Sequence, residues 1–335
     1  MTRDAQLVRA AILVILGLGL AAPTAVQAQS FEPINTRAAG MGGAFVAAAD
    51  DASAVYWNPG ALASGALFSF LVDRTSSKAL GDSPPDSVGG TRSGTLVALS
   101  TPPFGLSYYR LRSSWVSRSL ADPAVSVTQT LITHNTGVTF VQSLGDGIAI
   151  GATARFVRGI AGSTLAAAGS LEDRLDEAGD LIGEASNKFD ADAGISAVFG
   201  TLRAGLSVRN LVAPSFETAG SATELKLERQ GRAGIALSSP LGFMIALDMD
   251  LNSVRGPIGQ VRDFAVGTEA HFLPRAYGRA GLRLNTLGDE PGGHAPTYSL
   301  GGSFAPLSWL WIDGEATLGA ETGRRGWGVA GRVGF

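Results

Sequence analysis

The chain has 335 residues, 45 of them glycine and none cysteine, with 16% charged residues and a formal net charge of −3. Absence of cysteine excludes disulfides and thiolate metal sites, and the slight negative charge argues against a nucleic-acid partner. Mean hydropathy is positive, yet no run beyond the N-terminus is long and apolar enough for a membrane helix, which suits a glycine-rich β protein better than a soluble enzyme.

Residues 1–28 read as a secretory signal peptide. Arg3 and Arg9 form a basic start, "AAILVILGLGLAA" is a short apolar core, and Val26 and Ala28 are small residues suited to cleavage. An uncleaved anchor is the alternative, but the flank after Ala28 lacks the charges an anchor needs. Removing Arg3, Asp4 and Arg9 shifts the net charge from −3 to −4.

Residues 29–65 contain the densest signal, "RAAGMGGAFVAAADDASAVYWNPGALA" from Arg37 to Ala63. Gly40, Gly42 and Gly43 allow positive φ or close backbone approach. Phe45 to Trp57 is expected to form a short helix in two pieces, with Asp50, Asp51 and Ser53 as caps. Asn58, Pro59 and Gly60 form a turn that hands the chain to the first strand.

From residue 66 to 335 the pattern has period two. In "FMIALDMDL" Phe243, Ile245, Leu247, Met249 and Leu251 share one face, with Asp248 and Asp250 on the other. In "AYGRAGLRLN" Ala276, Ala280, Leu282 and Leu284 oppose Tyr277, Arg279, Arg283 and Asn285. In "GIAIGATARFVR" Ile148, Ile150 and Phe156 oppose Thr153 and Arg155. Strands are expected to begin near Ala66, Arg92, Phe104, Val125, Gly147, Lys188, Arg203, Glu224, Gly242, Gln260, Ala276, Pro296, Ser308 and Arg325. Tight connections ("TPP", "GDG", "SPLG", "LPR", "APL") alternate with long polar ones. An even strand number with short turns at one end and long loops at the other predicts an all-β fold, a transmembrane antiparallel barrel of about fourteen strands. A β-sandwich would show a lysine-rich exposed face, and a propeller would show a fixed repeat; neither is present. The last strand places Trp327, Val329, Val333 and terminal Phe335 on one face and Arg332 on the other, similar to the signal read by barrel-assembly machinery.

If the apolar face meets lipid, the polar face lines the lumen. Its basic residues are Arg155, Lys188, Arg203, Arg209, Lys226, Arg232, Arg279, Arg283 and Arg332. Its acidic residues are Asp190, Asp192, Glu228, Asp248, Asp250, Asp263, Glu269, Asp313 and Glu315. Balanced charge predicts pairing across a largely filled interior; the alternative is that these groups only keep the inner wall wet. The segment before the first strand then reads as a plug or hatch, with Gly40, Gly42, Gly43, Asp50, Asp51, Asn58, Pro59 and Gly60 as its gate residues.

Residues Arg37 to Gly60 resemble the N-terminal hatch of the FadL-type outer-membrane proteins, transporters of long-chain fatty acids and hydrocarbons, and of the related PorV and PorQ-type barrels. Gly60 departs from the Asn-Pro-Ala usual in that family. The resemblance implies a fourteen-stranded barrel, a low-affinity apolar groove near the outer loops, and a deeper pocket leading to a lateral opening. This chain is shorter than typical fatty-acid transporters, so no ligand-binding residue is carried over.

Other features are less specific. Leu171, Leu175, Ala178 and Ile182, in the long connection 163–187, have helical spacing and suit either a lid that captures apolar ligand or a solvated acidic loop. Trp309 and Trp311 could stack on a ligand or anchor the barrel at an interface. Asp50 and Asp51 could bind a partner that controls the gate, although capping or pairing with the wall is the simpler reading. His134, His271 and His294 lack metal-ligand spacing, no nucleotide motif is present, and nothing specific marks an enzyme. The expected function is passive uptake of hydrophobic small molecules, such as long-chain fatty acids, across the outer membrane of a Gram-negative-type bacterium, without a cofactor. The alternative is a PorV-like anchor or partner in protein secretion. Expected partners are outer-membrane lipid, the assembly machinery, an apolar ligand and, on the alternative, secretion-system proteins. Uptake predicts a continuous apolar cavity and a break in the wall; anchoring predicts a filled lumen.

Overall fold

Alternating apolar and polar residues can satisfy every backbone group in a membrane only if the sheet closes on itself. A computed structural model describes residues 34–80, 89–118, 125–167, 171–181, 183–219, 224–256, 259–287, 295–319 and 323–335. The proposed signal peptide, His294 and Ile182 lie outside the described residues. The chain begins with helix α1 (Thr36–Gly40), helix α2 (Ala54–Trp57) and a 3-10 helix (Pro59–Ser64). It continues through β1 (Ser69–Leu80), β2 (Gly89–Thr101), β3 (Phe104–Arg118), β4 (Val125–Gly145), β5 (Ile148–Ala167), α3 (Leu171–Asp180), β6 (Ala185–Phe199) and β7 (Leu202–Arg209). There follow β8 (Ser215–Ala219), β9 (Glu224–Lys226), β10 (Gln230–Ser239), β11 (Phe243–Asp250), β12 (Val254–Gly256) and β13 (Gly259–Val261). The chain ends with β14 (Asp263–Leu273), β15 (Ala276–Asn285), β16 (Thr297–Leu307), β17 (Leu310–Gly319) and β18 (Arg325–Gly334).

Fourteen of these strands, β1 to β7, β10, β11 and β14 to β18, form a closed antiparallel barrel. Closure runs through β1 with β18, where Ser69 pairs with Gly334, so no edge is left to aggregate. The expected eighth strand needs correction. Glu224 to Lys226 pairs with β8 in a hairpin that joins β5 only through Ala161 and Gly162, and the barrel strand starts at Gln230. Similarly, Gln260 belongs to the small β12–β13 hairpin, and the barrel strand starts at Asp263. In both places alternation continues through a loop hairpin and cannot mark which sheet the strand joins.

The two faces differ as the pattern requires. Phe156, Phe189, Phe243, Ile245, Met249, Trp327 and Val329 are exposed on the outside, while Arg155, Asp190, Asp248 and Asp250 are buried within. The wall is also uneven in height. β4 and β5 run for 21 and 20 residues, whereas β7 and β11 have 8 each. The tall side is covered on both faces. Inside, Phe216, Leu225 and Leu227 around the β8–β9 hairpin pack on Trp115, Leu131, Val157 and Ala161. Outside, α3 sets Leu171 and Leu175 against Val116, and Thr130 Oγ1 donates to the carbonyl of Ala178 at 3.0 Å. Thus the helical reading of the long connection is correct for Leu171, Leu175 and Ala178, and the helix is a buttress on the outer wall rather than a lid over the lumen.

Residues 34 to 62 occupy the interior almost without exposure. They can approach so closely because the wall beneath them is glycine. A Cβ at Gly267 would lie 2.5 Å from the Met41 carbonyl oxygen, and one at Gly205 would lie 2.6 Å from that of Val46. A Gly267→Val substitution should therefore leave β14 paired but expel the segment. In mild detergent the variant barrel should keep its heat-modifiable gel mobility and become cleavable by trypsin at Arg37. Continued protection of Arg37 would show that the approach is not tight.

Candidate functional site

The interior segment packs an apolar core, with Met41, Phe45, Val55 and Trp57 clustered with Leu71, Leu96 and Tyr109 of the wall, and is oriented by polar contacts that begin at its first turn. Asn35 caps α1, its side chain accepting from Ala38 N at 3.0 Å, and Thr36 N donates to Asp73 of β1 at 2.6 Å. Arg37 then reaches the opposite wall, donating through Nε and Nη2 to both carboxylate oxygens of Glu269 at 2.9 and 2.8 Å. Such two-point pairing gives both strength and orientation.

From Glu269 the ion pairs close into a circuit. Arg279 Nε donates to Glu269 at 2.5 Å and its Nη1 to Asp313 at 3.4 Å. Arg332 lies 3.4 Å from Asp313 and 3.7 Å from Asp51, and Asp51 returns to Arg37 at 3.3 Å. Three cations and three anions thereby join the segment to β14, β15, β17 and β18. Asp50 adds a pair with Arg37 and a 3.5 Å contact with Arg203. Burial alone would raise the Asp51 carboxyl, but Arg332 and Arg37, with hydrogen bonds from Ser53, hold it below the usual range. Burial alone would likewise lower the Arg37 guanidinium, but Asp50, Glu269 and Asp51 raise it.

Two further clusters hold the rest. Asp248 accepts from the backbone N–H groups of Phe45 and Val46, both at 2.8 Å. Arg232 donates to Asp250 at 2.6 Å and to the Gly43 carbonyl at 3.3 Å, while Arg283 lies 3.9 Å from Asp263. On the tall side Arg155 lies 2.5 Å from Asp190 and 2.8 Å from Asp192, and Arg209 lies 3.6 Å above the Tyr56 ring. Asn58 donates to the carbonyls of Val46 at 3.0 Å and Ile195 at 2.9 Å, locking the turn to β6. A Cβ at Gly60 would fall 2.9 Å from the Gly194 carbonyl oxygen, so close approach to the wall explains glycine there.

Several sequence expectations require adjustment. Asp50 and Asp51 serve as ion-pair partners, and of the two helical pieces only Ala54–Trp57 forms, with no side-chain cap from Ser53. Phe45 to Ala49 is a turn, with the Ala49 N–H on the Phe45 carbonyl. α1 was not anticipated, although Asn35 ahead of "TRAAG" is a recognisable cap. Lys188 is exposed, and Lys226 lies on the β9 hairpin rather than the barrel wall. Glu315 faces the lumen beside Thr317, which donates to it at 2.9 Å. Trp309 stacks on Phe335 at 6.0 Å at the short-turn end, whereas Trp311 meets Tyr277 edge-on at 5.1 Å. Arg37, Asp73, Tyr109 and the wall glycines were not singled out from sequence.

A cavity of about 600 Å³, measured with the solvent at its mouth, opens at the long-loop end. Its floor is Ile34, Ala39 and Gly42, and Arg92, Arg283 and Glu315 are among its walls. A second of about 260 Å³ lies between Tyr56, Tyr109, Asn135, Arg155 and Arg209. Both have mixed polar and apolar linings, and among the described residues the barrel ladder is continuous. Among the described residues neither of these two cavities forms the continuous apolar route, and the ladder does not show the broken wall, expected of an open channel.

Comparison with solved structures sets this arrangement in context. The monoaromatic hydrocarbon channel CymD superimposes with a TM-score of 0.62 at 13% identity, covering 92% of this chain and 99% of that one. A Pseudomonas aeruginosa FadL homologue gives 0.62 at 11% identity, covering 93% and 100%. The fold is that of the FadL-type channels. The Pseudomonas putida toluene transporter TodX shares this FadL-type fold with a TM-score of 0.56 at 11% identity, covering 92% of this chain and 97% of its own. The family described as F plasmid transfer operon, TraF, protein matches residues 124–250, less than half of the chain. No curated protein matches the sequence.

The circuit makes a direct prediction. Arg37→Met should cost about 3 kcal/mol of segment docking by stranding buried carboxylates, seen as faster amide exchange from Ala38 to Ala48. Arg37→Met with Glu269→Met should cost less than the sum of the single changes. Additive losses would show that the two groups do not act as a pair.

Proposed function

We propose that the protein is a gated outer-membrane channel for passive uptake of small hydrophobic molecules, long-chain fatty acids among the candidates, with residues 34–65 as its gate. A filled interior by itself would suit an anchor; what carries the channel reading is that the filling is bound to the wall through charged and hydrogen-bonded groups that water can replace. The interior is filled by a segment of the chain itself, whose apolar core is ringed by ion pairs and by hydrogen bonds to backbone groups. Entering water can replace such contacts group by group, so displacement of α1 costs less than their gross strength in a dry site suggests.

On this reading an apolar solute arrives among the long loops and enters the cavity above Ile34, Ala39 and Gly42. Movement of α1 away from β15 to β18 then extends that cavity inward. The channel needs no cofactor, because the solute moves down its gradient. The hydrocarbon and toluene channels of like fold support the choice of solute class.

A second reading has one observation in its favour. The match of residues 124–250 to a family named for a plasmid transfer operon, taken with the filled lumen, fits a barrel that anchors or assists export of macromolecules, as expected of a PorV-like partner.

A crosslink separates the two. The chain has no cysteine, and a Cβ at Gly40 would lie 3.3 Å from Gly301 Cα, so Gly40→Cys with Gly301→Cys would tie α1 to β16. In outer-membrane vesicles the oxidised variant should take up labelled fatty acid at least about tenfold more slowly than the reduced one. Equal uptake in both states would remove the gate from the account, and no saturable uptake in either state or in the parent would favour the export reading.

A further inference from the structure

The outer wall carries a charge cluster that the lumen network does not use. Register pairs Arg74 with Thr95, Thr95 with Arg110, Arg110 with His134, His134 with Arg158 and Arg158 with Asn187. These residues form one row across β1 to β6. They share the face of Val72, Tyr108 and Phe156, which are exposed outside the barrel. Adjacent strands are about 4.8 Å apart, so Arg110, His134 and Arg158 stand side by side. Arg74 is fixed by donating to Thr95 Oγ1 at 2.7 Å, and His134 Nδ1 is 2.8 Å from the Tyr108 hydroxyl. Among the described residues, Arg74, Arg110 and Arg158 form no ion pair with a carboxylate.

What lies above and below the row gives it a shape. Toward the short turns, the next outward row is Val72, Val97, Tyr108, Thr136, Phe156 and Phe189, a surface for acyl chains. Toward the long loops, α3 forms a ledge, its Ala178 carbonyl accepting from Arg112 at 3.3 Å and from Thr130 at 3.0 Å. Uncompensated arginines between an apolar belt and a ledge require an anion to be favourable at a membrane interface. Guanidinium groups bind phosphate oxygens well because their planar fork matches two acceptors at once.

We infer that this row binds a phosphorylated glycolipid of the outer leaflet, its phosphates on Arg74, Arg110 and Arg158 and its acyl chains on Tyr108, Phe156 and Phe189. The inference rests on the outer-membrane reading of the barrel and not on which solute it carries. A site of this kind would hold the tall side of the wall at a fixed depth and orient the loops above it.

The test uses the full barrel in lipid nanodiscs of phosphatidylethanolamine doped with diphosphoryl lipid A or its dephosphorylated form. Native mass spectrometry and a titration should show saturable retention of the diphosphoryl lipid alone. Arg110→Gln with Arg158→Gln should weaken it roughly thirtyfold, while Arg275→Gln in a turn at the other end should leave it unchanged. Heat-modifiable mobility reports folding, and if the double variant does not fold, Arg158→Gln alone should still weaken retention about fivefold. Equal retention of the dephosphorylated lipid, or unchanged retention in a folded variant, would overturn the site. Uptake measured on the same variants tells loss of the lipid site from failure of the channel reading.

Discussion

The position of the segment inside the barrel depends on the pairing of Arg37 with Glu269. One guanidinium, carried on a five-residue helix inside the barrel, meets a carboxylate on the wall and is linked through Arg279, Asp313, Arg332 and Asp51 back to itself. Five of the six charges in this circuit are buried and Arg332 is partly so, which makes each costly alone. Each becomes tolerable because its neighbours on both sides carry the opposite sign. The circuit thus couples the position of α1 to four strands at once, and a change at any one of its six members is felt by the others.

The rest of the interior follows the same logic with backbone as well as side chains. Asp248 holds two successive N–H groups of the segment, and Asn58 bridges the segment to itself and to β6. Glycine in the wall permits this, since a side chain at Gly267 or Gly205 would hold the segment away from the strand. Apolar contact contributes through Phe45, Tyr56 and Trp57, which are fully buried and meet edge-on. Polar docking and a dry aromatic centre give a plug that is specific in register but whose outer contacts water can replace.

Much of the barrel was legible because a period of two is forced by the chemistry of its two sides. Phe156 beside Arg155, or Met249 beside Asp248, leaves one arrangement in which the charge is inside and the ring or thioether outside. Alternation misled at Leu225 and Leu227, since a hairpin inside the lumen also has one apolar face. The glycines at 205 and 267 read only as weak strand positions, because their purpose is set by a backbone far away in sequence. Balanced lumen charge pointed to pairing, yet the choice of partners depends on the shear of the barrel, which no local pattern contains. For the same reason Arg37, lying within the quoted segment, was not distinguished from its neighbours.

Occlusion of the lumen by residues 37–60 is the claim on which gating rests, and electrical conductance tests it most directly. Deletion of Arg37 to Gly60, followed by reconstitution of the refolded barrel in a planar bilayer, should give a folded protein with steady ion conductance well above that of the parent. Conductance equal to the parent's, from a barrel shown to be folded and inserted, would contradict the account.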